Sequence, residues 1–139
     1  MIEKTRLVRV PVETAFRVWT ERIGLWWPPG HRMSGSSEGR MQLEPGVGGR
    51  LIEHGPDGTI HEYGVVLEWE PPTLLKHSFY PGTGRDQPTE VEVRFVEVDE
   101  GCRVEVRHRA AGSARFEETA VRFEKNWPEV LASFEALLP

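Results

Sequence analysis

Residues 90–110 read EVEVRFVEVDEGCRVEVRHRA, and this stretch decides the fold. Apolar and charged side chains alternate on both sides of residues 99–101. Strict alternation indicates a β-strand with one buried face and one solvated face. The short Asp-Glu-Gly link predicts a hairpin between the two strands. The face that we expect to be buried comprises Val91, Val93 and Phe95 in one strand and Cys102, Val104 and Val106 in the other.

The C-terminal part of the chain follows a helical period instead. Residues 114–138 carry apolar side chains at helical spacing, which predicts one long amphipathic helix. Pro128 lies inside it, and because proline removes a backbone hydrogen bond we expect it to kink the helix or to begin its second part. The apolar stripe consists of Phe116, Ala120, Phe123, Trp127, Val130, Leu131, Phe134, Leu137 and Leu138.

The N-terminal part predicts a strand followed by a helical insert. Residues 2–10 are rich in β-branched side chains, and Pro11 after them suits the first turn of a helix. Apolar spacing predicts two short helices over residues 12–20 and 22–27, ended by a Pro-Pro-Gly sequence. We expect the polar segment 31–39 to be a mobile loop with His31 in solvent.

The middle of the chain completes the set of strands, at about residues 40–45, 49–54, 59–69 and 74–80. The sequence Gly-Pro-Asp-Gly between the second and third of these predicts a tight turn. Together with the first strand and the two strands of the 90–110 hairpin, this gives seven strands. Runs of strands joined by tight turns predict an antiparallel sheet with helices on one side. We therefore expect an α+β fold in a single domain over residues 1–139.

Composition narrows the function classes. The 139 residues carry a net charge of −5, which does not favour a nucleic-acid partner or an anionic membrane surface. No run of apolar residues is long enough to cross a membrane, and no apolar leader opens the chain. Cys102 is the single cysteine, and we expect it to be buried in a reducing compartment. Together these features predict a cytoplasmic protein.

Three segments carry a family resemblance: PVETAFRVWTERIGLWWPP at 11–29, GVVLEWEPPTLLKHSFY at 64–80 and NWPEVLASFEALL at 126–138. In this order they resemble the activator-of-heat-shock-protein-90-ATPase homology family, which belongs to the helix-grip (START-like, SRPBCC) superfamily. The resemblance implies a curved seven-stranded antiparallel sheet wrapped around a long C-terminal helix, with two short helices after the first strand and a cavity between sheet and helix. The superfamily includes lipid and hormone binders and aromatase/cyclases, so the fold does not determine the function.

The ligand contacts that we predict are mostly aromatic. Trp26 and Trp27 end the helical insert, and we expect one of them to cap the cavity and the other to pack beneath it. His108 continues the inward face of its strand, where it could be a general base, an orienting donor or a core-edge histidine bonded to backbone. The candidates are Trp26, Trp27, Trp69, Phe79, Phe95, His108, Phe123 and Trp127.

Other chemistry finds little support in the sequence. The remaining histidines are scattered, so no metal site is predicted. Residues 46–50 are glycine-rich, but they lie between strands rather than before a helix, so no cofactor is predicted either. The sequence favours a protein that binds a hydrophobic or aromatic small molecule. The alternatives are a cyclase- or hydratase-type enzyme that uses the same cavity and a chaperone-associated interaction protein. An open edge strand of the predicted sheet would also allow a homodimer.

Overall fold

The computed structural model describes residues 1–111 and 116–139. The strands are β1 (Ile2–Val8), β2 (Arg40–Leu43), β3 (Arg50–His54), β4 (Ile60–Glu70), β5 (Leu74–Phe79), β6 (Thr89–Val98) and β7 (Gly101–Ala110), and the helices are α1 (Val12–Glu21), α2 (Ile23–Trp26) and α3 (Phe116–Leu137). The strands form one antiparallel sheet in the order β1-β7-β6-β5-β4-β3-β2. The sheet is a curved half-barrel consistent with the helix-grip fold, which confirms the predicted fold class.

The β6–β7 hairpin is the longest continuous pairing in the sheet, from Thr89 opposite Ala110 to Val98 opposite Gly101. The predicted inward face is buried: its valines, its cysteine and Phe95 are at most 2% exposed. Gly101 has φ +144° and approaches β1 so closely that a Cβ there would lie 2.3 Å from the carbonyl oxygen of Val8. Alternation in the sequence therefore predicted both strands and the side that meets the helix.

The N-terminal insert folds as the sequence predicts, with one shorter element. Pro11 precedes α1, and its carbonyl accepts the first helical hydrogen bond, from the amide of Ala15 at 3.0 Å. α2 has a single turn, after which Trp27 is extended and a 3-10 turn forms over Pro29–His31. These turns bring the chain back against α3.

α3 is a single helix through Pro128, so Pro128 does not begin a second helix. The carbonyl that loses its hydrogen bond belongs to Glu124, four residues earlier, and both residues are exposed, so water can satisfy this carbonyl. Residues 114 and 115 of the predicted helix lie outside the described residues. Lys4 and Arg6 of β1 form ion pairs with Glu124 and Glu135 of α3, at 2.5 and 2.7 Å. No helix in the described part of the chain is both long and apolar enough to cross a membrane.

Two irregularities bend the sheet near its middle. The register shifts between Leu51 and Ile52 in β3 and between Val66 and Glu68 in β4. Between them, Gly64 lies so close to β5 that a Cβ there would be 1.8 Å from the carbonyl oxygen of Ser78. Bulges increase the local bend of a strand, and this bend directs the inner face of β4 and β5 toward α3.

Candidate functional site

A cavity of about 330 Å³ opens to the surface between α3, the segment after α2, and strands β4 and β5. Its volume falls at the small end of the range for small-molecule sites, ~300–1,000 Å³. Five aromatic rings line it, because α3 and the strands each direct apolar side chains into the same space. The rings are those of Trp27, Tyr63, Phe79, Phe123 and Trp127.

Trp26 and Trp27 take separate places in the core. Trp26 does not line the cavity; it packs against Trp19 and Phe134, with ring centroids 4.7 and 5.3 Å away, and donates its indole N–H to the carbonyl of Val18 at 2.9 Å. Trp27 lines the cavity and donates its indole N–H to the carbonyl of His31 at 3.2 Å. The two rings remain in contact, with centroids 5.7 Å apart, but only Trp27 reaches the cavity, because the helix ends between them and Trp27 is extended.

His108 lies one layer behind the cavity wall and is fully buried. Its Nδ1 accepts a hydrogen bond from the indole N–H of Trp127 at 3.1 Å, so its Nε2 carries the proton and donates to the hydroxyl of Thr89 at 2.7 Å. The Thr89 hydroxyl in turn donates to the carbonyl of Phe79 at 2.7 Å. Both ring nitrogens therefore take part in a series of hydrogen bonds that connects two residues of the cavity wall, Trp127 and Phe79.

Burial also sets the charge state of this histidine. Desolvation, followed by the nearby imidazole of His77, lowers the pKa of His108 to about 3. The same desolvation lowers the pKa of His77 to about 4, although its Nδ1 lies 2.8 Å from the carbonyl oxygen of Ser78. Both imidazoles are neutral near pH 7. Of the three roles considered for His108, this geometry favours the structural one.

Trp69 and Phe95 lie in the other half of the core, under α1. Both rings meet Phe16 edge to face, with centroids 5.3 and 5.4 Å apart, and Phe95 also contacts Trp19 at 6.1 Å. Neither lines the cavity. Ring contacts through Trp19 and Trp26 connect this part of the core with Trp27 at the cavity. β4 and β6 therefore contribute Trp69 and Phe95 to the end of the aromatic core that lies away from the opening.

One wall of the cavity comes from residues 30–33, which the sequence assigned to a solvated loop. The prediction that His31 is solvated is wrong: its side chain is 16% exposed, and its Nε2 lies 3.3 Å from Oε2 of Glu129 on α3. The 3-10 turn places it there. Arg32 follows it into the wall, and its guanidinium donates hydrogen bonds to the carbonyls of Trp27, Ser37 and Gly39.

A buried carboxylate fixes the next part of this segment. Glu53 is fully buried, and it accepts hydrogen bonds from the amide and the hydroxyl of Ser34 and from the phenol of Tyr63. Desolvation favours the neutral acid, but the hydrogen bonds of Ser34 and Tyr63 outweigh it and hold the pKa of Glu53 below its ordinary value. The Tyr63 hydroxyl also accepts a hydrogen bond from the amide of Met33 at 2.6 Å.

Sequence reasoning missed several wall residues. Tyr63 was hidden because it is an extra residue in β4, between Glu62 opposite Ile52 and Gly64 opposite Leu51, and this irregularity breaks the period of two. Asn126 and Arg122 lie beside the apolar stripe of α3, where their helical spacing from Phe123 and Trp127 was a usable signal. The other missed wall residues are Gly30, His31, Arg32, Met33, Pro81, Gly82 and Val130.

The fold and the cavity define a class: a helix-grip protein with an open, aromatic-walled cavity between its sheet and its C-terminal helix. The chain belongs to the family of Activator of Hsp90 ATPase homolog 1-like proteins, whose model matches residues 9–139. This confirms the resemblance seen in the sequence. No curated protein matches the chain.

Solved structures place the chain among relatives of the same architecture. An anthrahydroquino-γ-pyrone synthase, Txn09, is 31% identical, with 99% of this chain and 96% of that chain covered at a TM-score of 0.66. A Rhodobacter sphaeroides protein is 21% identical, with 97% and 88% covered and a TM-score of 0.69. A Mesorhizobium loti protein is 17% identical, with 98% and 94% covered and a TM-score of 0.69. The last two likenesses concern the fold alone.

Proposed function

We propose that this protein binds a planar aromatic small molecule in the cavity between its sheet and α3. The observation that carries the proposal is the set of five aromatic rings around one open cavity of about 330 Å³. Aromatic rings favour edge-to-face and offset contacts with other rings, so such a wall selects flat, apolar ligands. The hydrogen bonds on Trp27, Tyr63 and Trp127 hold three of the rings in place without a ligand.

A preformed wall supports binding because less side-chain freedom is lost when the ligand enters. Tyr63, Trp27 and Phe79 also contact one another, with ring centroids 6.3 to 6.4 Å apart. Phe79 also contacts Phe123 of α3, with ring centroids 6.0 Å apart. These four rings therefore give the cavity wall a fixed shape that a flexible aliphatic chain would fill poorly.

Fluorescence titration with N-phenyl-1-naphthylamine, a neutral aromatic probe, tests the proposal. Asn126→Phe places a ring into the cavity from a half-buried helix position, and it should weaken binding about tenfold or more. Val121→Phe is the matched control, since Val121 is 77% exposed on the same helix and lies outside the cavity. Failure of the wild-type protein to bind the probe, or equal binding by Asn126→Phe, would contradict the proposal.

A second function is favoured by one observation, the 31% identity to the anthrahydroquino-γ-pyrone synthase over nearly the whole of both chains. A γ-pyrone ring can close when an enol or phenol oxygen adds to a ketone and one water is lost. In this chain the cavity would hold the aromatic precursor folded, and the imidazole of His31 could accept and return the proton that the step moves. His108 is not available for this role, because both of its nitrogens are engaged.

Conversion of 1-(2-hydroxyphenyl)butane-1,3-dione to 2-methylchromone and water tests this second function with a defined model substrate. Catalysis predicts a rate above buffer that Asn126→Phe removes and Val121→Phe keeps. A wild-type rate equal to buffer would count against ring closure while leaving ligand binding intact. A chaperone partner stays a prediction from the family resemblance, to be tested by pull-down.

A further inference from the structure

The polar wall of the cavity contains a guanidinium, that of Arg32, which forms no ion pair with the residues that the structure describes. Arg32 lines the cavity, and its terminal nitrogens donate hydrogen bonds to three backbone carbonyls: that of Trp27 and that of Ser37, both at 3.1 Å, and that of Gly39. Its Nε is buried and has no hydrogen-bond partner in the described residues. Within the same residues, none of the ion pairs involves Arg32. Carbonyls orient the group but do not neutralise it.

The rest of the described wall has the same sign of charge. Arg122 also lines the cavity, with its guanidinium carbon 5.4 Å from the centre of the Phe123 ring. No aspartate or glutamate is among the described lining residues, although the chain as a whole carries a net charge of −5. The nearby carboxylates have other partners: Glu129 faces His31, and Glu53 is held by Ser34 and Tyr63.

We infer that the cavity selects aromatic ligands that carry an acidic oxygen group, such as a carboxylate or phenolate, and that Arg32 binds that group. This inference rests on the proposed function, because it names the residue that binds one end of a ligand in the same cavity. A buried, unpaired donor on a cation is costly to leave without a partner, and an anionic oxygen on the ligand satisfies both the donor and the charge. The bound ligand then has its acid at the wall formed by residues 30–33 and its rings against Phe79 and Phe123.

Two probes with one ring system separate this inference from the proposed function. N-Phenyl-1-naphthylamine is neutral, and 8-anilinonaphthalene-1-sulfonate adds one anionic group to the same skeleton. Arg32→Met should weaken binding of the sulfonate probe about tenfold more than it weakens binding of the neutral probe. Arg94→Met, on the outer face of the sheet, removes the same charge far from the cavity and should change neither affinity.

Three outcomes would overturn the inference. If Arg32→Met weakens binding of both probes equally, Arg32 only holds residues 27–39 in place and does not bind the anionic group. An unchanged affinity for the sulfonate probe would remove Arg32 from the site. If Arg94→Met weakens binding of the sulfonate probe as much as Arg32→Met does, the effect comes from the net charge of the protein and not from a contact with Arg32. Absence of neutral-probe binding to the wild-type protein is a different result, and it would overturn the proposed function itself.

Unmodified protein gives a test that does not depend on the folding of Arg32→Met. Naphthalene-2-carboxylate and naphthalene-2-carboxamide, nearly equal in shape, would each displace N-phenyl-1-naphthylamine from the wild-type protein. The carboxylate should displace it at about tenfold lower concentration, although its charge is more strongly hydrated. A carboxamide that competes equally well or better would overturn the inference.

Discussion

The indole N–H of Trp127 donates a hydrogen bond to Nδ1 of His108 at 3.1 Å, across the interface between α3 and the sheet. Because Nε2 of the same imidazole donates to Thr89, which donates to the carbonyl of Phe79, one neutral histidine joins a helix residue and a strand residue of the cavity wall. The imidazole thus helps to fix the positions of two residues of the cavity wall, although it does not line the cavity itself.

Replacement of His108 separates a structural role from a catalytic one. His108→Ala leaves the Trp127 indole N–H without its partner and opens a void beside Phe123, whose ring centroid is 4.4 Å away. We expect the free energy of unfolding to fall by about 2–4 kcal/mol. His61→Ala, at a half-buried strand position, should change it by less than about 0.5 kcal/mol. Urea unfolding measures both, and an unchanged stability in His108→Ala would contradict the structural role.

The buried histidines predict how stability depends on pH. In the native state the pKa of His108 is about 3 and that of His77 about 4, against an ordinary value of 6.5. Below about pH 6.5 the unfolded chain therefore binds more protons than the folded chain, and stability falls as the pH falls. Each histidine contributes a slope of up to about 1.4 kcal/mol per pH unit, until the pH reaches its folded pKa.

Carboxylates do not obscure this effect at mildly acidic pH. The pKa of Glu62 is held at about 2, chiefly by its hydrogen bonds with Arg85, and the stability it contributes is lost only as the pH falls below its ordinary value of 4.5. Urea midpoints between about pH 7.5 and pH 5 should therefore decline, and His77→Gln should flatten the decline. Midpoints that stay constant over this range would show that the imidazoles are not buried in neutral form.

The hydroxyl of Tyr63 holds one end of the cavity wall formed by residues 30–33, and we expect its removal to destabilise the protein there. Tyr63→Phe removes the hydrogen bond from the Met33 amide and the one to Glu53, and we expect a loss of about 1–3 kcal/mol. Hydrogen exchange should accelerate at the amides of Met33 and Ser34. Tyr80→Phe removes a phenol bonded to Glu62 instead and should leave these two amides unchanged. Equal exchange in the wild-type protein and Tyr63→Phe would exclude a role for this hydroxyl in fixing the wall.

The fold could be predicted from the sequence where one period continued without interruption. Alternation in β6 and β7 predicted their inward valines, and the helical stripe of α3 predicted Phe123 and Trp127, because each pattern depends only on local backbone geometry. β4 breaks its own pattern, because the register shift near Val66 changes which side chains point inward. No local signal in the sequence marks that shift.

The cavity was less predictable than the fold, because its polar wall depends on tertiary contacts. His31 and Arg32 follow two prolines and a glycine, a sequence typical of a solvated loop, yet the buried carboxylate of Glu53 holds the residues just after them. Trp26 and Trp27 are adjacent in the sequence, but the end of α2 between them sends one into the core and the other to the cavity. Composition could identify the aromatic rings but could not show which of them line the cavity and which are enclosed in the core.

Gly64 gives a test of the sheet curvature that shapes the cavity. Gly64→Ala would place a Cβ 1.8 Å from the carbonyl oxygen of Ser78, so β4 and β5 must separate beside Tyr63. Such overpacking against backbone should lower the free energy of unfolding by about 1–3 kcal/mol and weaken binding of the neutral aromatic probe. Gly30→Ala is the control, because a Cβ at Gly30 would meet no atom within 4 Å, and it should change stability by less than about 0.5 kcal/mol. If urea unfolding gives the two variants equal stability, the close approach of the strands at Gly64 does not set the curvature.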